Sequence, residues 1–140
     1  MLEQHNLTFD TRGRGTREIT DDINRVVAGS SFRDGLCHLF IHHTSASLII
    51  TENADPSVRD DLDNWIARLV RDGDPLYRHD QEGPDDMAAH IRSVLTQTEI
   101  SIPFHQGRLA LGTWQGVFIW EHRHRPHRRK ISISLLGANG

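Results

Sequence analysis

The run GLCHLFIHHT, residues 35–44, constrains the fold most, because its side chains alternate between an apolar row and a mixed row. A period of two is typical of a β-strand with one buried face, since side chains two apart share a face. The row of Cys37, Leu39 and Ile41 is the more apolar and should face the core. His43 ends that row. Burying an imidazole without a partner is costly, so this position predicts a hydrogen-bonding partner or a ligand for His43.

The order of the predicted elements favours an α+β fold. The order is β-α-β-β-α-α-β-β-β, which does not repeat as βαβ units and therefore argues against a doubly wound parallel sheet. The first helix is predicted to begin at Thr20 as its cap, and the second at Asp55. Both later helices should bury an apolar face, formed in the second by Val58, Leu62, Trp65, Ile66 and Leu69 and in the third by Met87, Ile91 and Val94.

Length and composition indicate one domain over residues 1–140 and exclude several classes of protein. The chain is 36% hydrophobic and 25% charged, with a net charge of −3, whereas nucleic-acid-binding domains are usually strongly basic. No segment reaches the roughly 18 consecutive apolar residues of a membrane span, and the first residues lack a signal-peptide pattern. Cys37 is the only cysteine, so we expect a cytoplasmic protein without disulfides.

Polar side chains end apolar rows on three separate elements, of which the strand that ends at His43 is the first. His90 lies three residues after Met87 on the third helix, and Gln115 and Glu121 share one face of the strand WQGVFIWEH, with His122 on the other face. We expect these groups to meet one another or a ligand, although hydrogen-bonded core histidines would give the same pattern. No H-x-x-x-H or C-x-x-C spacing fixes metal ligands locally.

An acidic loop and a basic run flank these elements, and each has two interpretations. Asp85 and Asp86 precede the helix of His90, where they either cap the helix or bind a metal or orient His90. The run EHRHRPHRRK either binds an anion or forms a solvated turn, and Arg123 leaves its strand beside the predicted site. The sequence leaves open which of Glu121, His122, Asp85 and Asp86 completes the site.

Four segments together resemble the YjbQ-like family of small bacterial and archaeal proteins: HHTSASLIITEN, DPSVRDDL, YRHDQEGPDDMAAHI and GRLALGTWQGVFIWEHR. The resemblance runs over nearly the whole chain. It implies an α+β fold with a β-sandwich-like core, two or three helices packed on it, and assembly as a homotrimer. It also implies an active site with a possible metal position at His43, His90, Gln115 and Glu121, with Glu52, Asn53 and Asp60 as further candidates.

The resemblance implies a secondary thiamine-phosphate synthase activity, which joins a pyrimidine-methyl diphosphate to a thiazole phosphate and releases pyrophosphate. In this interpretation His43, His90 and Glu121 bind a metal or act as acid and base, and Gln115 positions the substrate. Asn53, Arg108 and Arg123 are the candidates for substrate binding.

The metal and the reaction remain open at this point. A pyrophosphate leaving group suits Mg²⁺, whereas two imidazoles suit Zn²⁺ better. Two alternatives are a metal-dependent hydrolase, in which His90 or Glu121 activates water, and a trimeric binding protein without catalysis. In each case we expect a small-molecule ligand, no nucleic acid and no membrane partner.

Overall fold

The computed structural model describes residues 1–139, which form eight strands and three helices. The strands are β1 (Leu2–Asp10), β2 (Gly15–Glu18), β3 (Phe32–Ile41), β4 (Ala46–Glu52), β5 (Glu99–His105), β6 (Arg108–Leu109), β7 (Gln115–Glu121) and β8 (Arg128–Asn139). The helices are α1 (Thr20–Ala28), α2 (Pro56–Leu69) and α3 (Asp86–Leu95). The predicted α+β class is confirmed, and the short strand β2 is an element that the sequence pattern did not reveal.

Two antiparallel sheets enclose the main core. One has the strand order β1-β8-β3-β5-β6 and the other the order β2-β7-β4. The predicted inward row of β3 is confirmed, since Cys37, Leu39 and Ile41 are fully buried. These side chains belong to one apolar cluster with Val117 and Ile119 of the other sheet. The core is therefore sandwich-like, as the family resemblance implies.

The predicted caps of the first two helices have different outcomes. Asp55 caps α2 and accepts a hydrogen bond from the Ser57 N–H at 3.0 Å, as predicted. Thr20 does not cap α1, because the cap position is Ile19 and makes no side-chain hydrogen bond there. The Thr20 hydroxyl instead accepts from the Val117 N–H at 2.9 Å, so it ties the helix to β7.

The predicted buried faces of α2 and α3 are partly wrong. On α2 Ile66 is buried, but Trp65 and Leu69 are about half exposed. On α3 Val94 is 83% exposed, and the residues that lie buried are Asp86, Ala88, Ala89 and Arg92. This helix turns a small and charged face inward, and Asp86 on that face pairs with Arg123. Among residues 1–139, none of the helices combines the length and apolar character needed to span a bilayer.

The loop after β3 crosses from one sheet to the other and fixes where polar residues gather. Ile41 pairs with Ile131 in the five-stranded sheet, and Ala46 pairs with Glu121 in the three-stranded sheet. The loop 42–45 therefore lies at the same end of the molecule as Glu121. The opposite end of the three-stranded sheet holds the pair Glu52 and Gln115.

Candidate functional site

Three side chains that can bind a metal meet at the beginning of α3. The Asp86 Oδ2 atom lies 2.8 Å from His79 Nε2 and 3.3 Å from His90 Nε2, and the three ligand atoms all lie within 4.8 Å of one another. Asp86 and His90 share a helix face because they are four residues apart. The loop before α3 brings in His79. Two imidazole nitrogens and one carboxylate oxygen form a set of ligands that zinc commonly takes in enzymes.

The site is anchored on one side and open on the other. The Asp86 side chain is 2% exposed, whereas those of His90 and His79 are 28% and 55% exposed. A small molecule can therefore approach the imidazoles from solvent while the carboxylate stays fixed. An accessible coordination position distinguishes catalytic from structural zinc sites.

The hydrogen bonding of His90 determines its tautomer. Its Nδ1 lies 2.9 Å from the Thr44 carbonyl oxygen, which can only accept, so Nδ1 donates. In the neutral ring Nε2 then carries a lone pair, and this atom faces the Asp86 carboxylate at 3.3 Å. Two lone pairs facing each other repel. Either a second proton on His90 or a cation between the two atoms removes that repulsion.

Arg123 holds the acidic loop in place. Its guanidinium donates to Asp85 Oδ2 at 2.9 Å, to Asp86 Oδ1 at 2.8 Å and to the Glu82 carbonyl at 3.0 Å. Burial would raise the pKa of Asp85, but hydrogen bonds from the His124 N–H and from Arg123 lower it to about 2. Asp85 makes no capping hydrogen bond. Arg123 is thus engaged in fixing Asp86 beside the two imidazoles.

His43 lies beside His90 but outside the group of three. Both histidines line a surface depression of about 420 Å³, together with Thr44, Ser93, Val94 and Thr98. His43 Nε2 accepts the backbone N–H of Lys130 at 2.8 Å, so the proton of the neutral ring is on Nδ1. Burial and the nearby charge of Arg129 lower the pKa of His43, which favours this neutral form.

Glu121 is buried and its carboxylate oxygens are already engaged. Thr11 Oγ1 donates to it at 2.6 Å and Arg129 Nε at 2.8 Å, and the N–H groups of His122 and Arg123 donate at 3.0 and 3.1 Å. Burial would raise the pKa of Glu121, but Arg129 and Thr11 outweigh it and lower that pKa. The structure does not bring Glu121 into the group of His79, Asp86 and His90.

His122, the last of the four candidates for completing the site, is fully buried on the other side of β7. Its Nε2 lies 2.9 Å from Ser47 Oγ, and its Nδ1 has no hydrogen-bonding partner among residues 1–139. Of Glu121, His122, Asp85 and Asp86, it is Asp86 that lies against His90.

The other predicted site residues lie far from His90. Gln115 is at the opposite end of β7 from Glu121, about 20 Å away at about 3.3 Å per residue. Its Oε1 accepts the Gly112 N–H at 2.7 Å, and nearby Asn53 donates to Glu18 at 3.0 Å. The structure thus separates this end from the histidines. Glu52 shares the end of Gln115, Asp60 is exposed on α2, and Arg108 lies on the β5–β6 hairpin at the other end of β3 from His43.

His79 is the site residue that sequence reasoning missed, because it lies in a loop without periodicity. The sequence did contain a signal for the other two residues of the group. Asp86 and His90 are four residues apart on a predicted helix, which places a carboxylate and an imidazole on one face. Nothing in the spacing of residues 79 and 86 predicts that the loop returns to this face.

Comparison with known proteins places the chain in a family. The family model described as UPF0047 protein YjbQ-like matches residues 5–138. The chain belongs to the YjbQ-like family. It is 52% identical to the protein sll1880 of Synechocystis over 96% of this chain and 91% of that protein. It is 42% identical to YjbQ of Escherichia coli over 98% and 99% of the two chains.

Solved structures of two hypothetical proteins share the fold. The conserved hypothetical protein TT1486 of Thermus thermophilus superposes with a TM-score of 0.85 at 35% identity, over 94% of this chain and 99% of that one. The hypothetical protein APE1520 of Aeropyrum pernix gives a TM-score of 0.87 at 25% identity, over 97% and 99%. The predicted family is therefore confirmed. Because the names of these relatives describe no reaction, the comparison establishes family and fold alone.

Proposed function

We propose that this YjbQ-like protein is a metal-dependent enzyme that acts on a small molecule, with the ion held by His79, Asp86 and His90. The observation that carries the proposal is the orientation of His90. Its Nδ1 is committed to the Thr44 carbonyl, which leaves Nε2 aimed at the Asp86 carboxylate. A metal ligand whose other ring nitrogen donates to a carbonyl is a common arrangement in zinc proteins.

One of the spacings between the ligand atoms matches a tetrahedral zinc site. Tetrahedral bonds of about 2.0–2.1 Å place neighbouring ligand atoms about 3.3 Å apart. The His90 Nε2 to Asp86 Oδ2 distance is 3.3 Å, and the His79 Nε2 to Asp86 Oδ2 distance of 2.8 Å needs a small movement of an exposed side chain. When bound, such an ion would act as a Lewis acid and would lower the pKa of a water molecule bound to it.

The surrounding residues support catalysis in distinct ways. Arg123 holds the Asp86 oxygen that does not face the imidazoles. His43 lines the same depression as His90, and its Nδ1–H is the ring donor that remains for a substrate. We therefore assign His79, Asp86 and His90 to metal binding, and His43 to hydrogen bonding or proton transfer to the substrate.

Hydrolysis is the reaction that this arrangement favours. Two histidines, one carboxylate and an accessible position form the set of ligands used by zinc hydrolases. The second candidate is the secondary thiamine-phosphate synthase activity implied by the family resemblance. The Asp86 carboxylate favours it, because Mg²⁺ prefers oxygen ligands and could stabilise a departing pyrophosphate.

Metal analysis tests the proposal. Protein purified without an affinity tag should contain about one equivalent of zinc per chain. The variants His90→Ala and Asp86→Asn should lose it, while His105→Ala, which removes an exposed histidine at the far hairpin, should retain it. Absence of bound metal after incubation with zinc, or equal metal content in all four proteins, would refute the assignment.

Activity measurements separate the two reactions. The zinc-loaded protein is assayed with nitrophenyl esters, and protein supplied with magnesium is assayed with the two thiamine-phosphate precursors. His90→Ala should lose turnover together with metal, whereas His43→Ala should keep the metal and lose turnover. Full activity in both variants would show that the depression is not the active site.

We also propose that the chain assembles as the homotrimer that the family resemblance implies. Leu2, Leu136 and Leu36 are cross-strand neighbours on the outer face of the five-stranded sheet, and each is about half exposed. A contiguous apolar row on a sheet face is typical of a protein interface. Light scattering should give the mass of three chains, and Leu36→Lys should reduce it. A parent protein with the mass of one chain would contradict the proposal.

We also propose that the protein is located in the cytoplasm. Cys37, the only cysteine, is free and buried, and burial raises the pKa of its thiol to about 12. A buried thiol of this kind is unreactive, and a chain without disulfides suits a reducing compartment. Export of the protein to an oxidising compartment, detected by cell fractionation, would contradict this location.

A further inference from the structure

Arg92 is a buried arginine without a carboxylate partner. Its residue surface is 4% exposed, yet it forms no ion pair within residues 1–139. Its guanidinium makes a single hydrogen bond, from Nη2 to the Val70 carbonyl at 3.0 Å, and its Nε has no partner. A guanidinium keeps its charge in proteins. A buried charge without a partner is strongly unfavourable, so this position calls for an anion.

Arg92 lines an open depression in which three of the six other lining residues are arginines. The depression has a volume of about 530 Å³ and is formed by Arg14, Asn64, Ala67, Arg68, Arg71, Asp72 and Arg92. Four of the lining residues lie on one face of α2 and of the residues just after it, because they are spaced by one helical turn: Asn64, Ala67, Arg68 and Arg71. One side of the depression is therefore formed by a single segment of the chain.

The one carboxylate of the depression is already neutralised. Asp72 accepts two hydrogen bonds from Arg14, at 2.6 and 2.7 Å, and its Oδ2 lies 3.0 Å from His124 Nε2. Burial would raise the pKa of Asp72, but these contacts outweigh it and lower that pKa. Asp72 and Asp63 are close enough to act on the charge of Arg92, but neither forms an ion pair with its guanidinium. Within residues 1–139, Arg68 and Arg71 form no ion pair either.

We propose that this depression binds a small oxyanion, in particular the phosphate group of a small molecule, against the Arg92 guanidinium. The planar fork of arginine matches the geometry of phosphate and can donate two hydrogen bonds to it. Arg68 and Arg71 are exposed and supply further donors at the rim. The bound anion would supply the charge partner that Arg92 lacks.

The site is independent of the proposed metal centre. His90 and Arg92 are two residues apart on α3, which separates their side chains by about 200° around the helix. The two sites therefore lie on opposite faces of α3. Failure of the metal assignment would leave the case for the anion site unchanged.

Titration with inorganic phosphate tests the proposal. Protein treated with EDTA is titrated at constant ionic strength, with sodium chloride as the exchange salt, and followed by calorimetry and thermal melting. Phosphate should raise the Tm of the parent, because a ligand that binds only the folded state stabilises it. The removal of metal by EDTA keeps metal–phosphate binding out of the measurement.

Three variants decide where phosphate binds. Arg92→Met should weaken phosphate binding about tenfold or more, since it removes charge-assisted hydrogen bonds. The double variant Arg68→Gln/Arg71→Gln should weaken binding as well, and it changes exposed positions alone, so it remains informative if Arg92→Met fails to fold. Arg25→Gln, at an exposed position of α1, should bind phosphate like the parent.

Three results would overturn the proposal. The first is a parent Tm that rises no more with phosphate than with chloride. The second is a phosphate affinity that neither the Arg92→Met variant nor the double variant reduces. The third is a change of oligomeric mass in Arg92→Met by light scattering, which would show that Arg92 meets a carboxylate of a second copy instead.

Discussion

His122 links the stability of the fold to pH. The side chain is fully buried, with Nε2 bound to Ser47 and Nδ1 without a partner among residues 1–139. Burial, followed by the nearby charge of Arg92, lowers the pKa of His122 from 6.5 to about 3. The folded protein therefore keeps this ring neutral throughout the mildly acidic range.

The direction of the effect follows from this lowered pKa. Between pH 6.5 and about 3 the unfolded chain binds a proton at His122 that the folded chain does not bind, so acidification favours unfolding. From pH 7 to pH 5 the contribution is about 2 kcal/mol, at about 1.4 kcal/mol per pH unit below the unfolded pKa. The size of this loss of stability depends on the pKa of His122 in the unfolded chain, because its pKa in the folded protein lies well below pH 5.

Urea denaturation of metal-free protein at pH 7 and pH 5 measures the effect. Between these two pH values the parent should lose about 2 kcal/mol more unfolding free energy than the variant His122→Gln, which cannot take up a proton. Ser47→Ala is the matched control. It should keep the pH dependence of the parent, because burial rather than the Ser47 hydrogen bond lowers the pKa.

Equal losses in parent and His122→Gln would refute the argument, since they would show that the folded protein protonates His122 as readily as the unfolded chain does. All samples are compared at one protein concentration, because oligomerisation also changes apparent stability.

Three further substitutions test the packing and the capping described above. Arg129→Met should lower the unfolding free energy by about 3–5 kcal/mol in urea denaturation, because it leaves the buried Glu121 carboxylate without its ion-pair partner; a loss below about 1 kcal/mol would contradict this role. Asp55→Ala should cost about 1 kcal/mol through loss of the α2 cap, and an unchanged urea midpoint would argue against the cap. Gly35→Ala should prevent stable folding, because an added Cβ would collide with the backbone of β8, and a parent-like Tm would show that β8 can yield.

Local pattern was sufficient to predict much of the fold. The alternation in residues 35–44 correctly identified the buried row of β3, because strand periodicity depends on neighbouring side chains alone. The same holds for the Asp55 cap of α2, whose hydrogen bond is made two residues away.

The face of α3 could not be predicted in this way. Hydrophobicity favoured burying Val94, whereas the structure buries Asp86 and Arg92. Asp86 is paired with Arg123 from 37 residues further along the chain, and Arg92 donates to the Val70 carbonyl. Arg123 satisfies the buried Asp86 from a remote part of the chain, and apolar periodicity carries no information on such partners.

The sequence by itself therefore determined the family, the α+β class, the inward row of β3 and the presence of histidines that need partners. The tertiary structure alone decided which groups meet: His79 joins Asp86 and His90, while Glu121 is engaged by Arg129 and Gln115 lies at the far end of its strand. The reason is physical. Secondary structure follows from interactions over a few residues, whereas a binding site is assembled from contacts between segments whose approach is set by the packing of the whole chain.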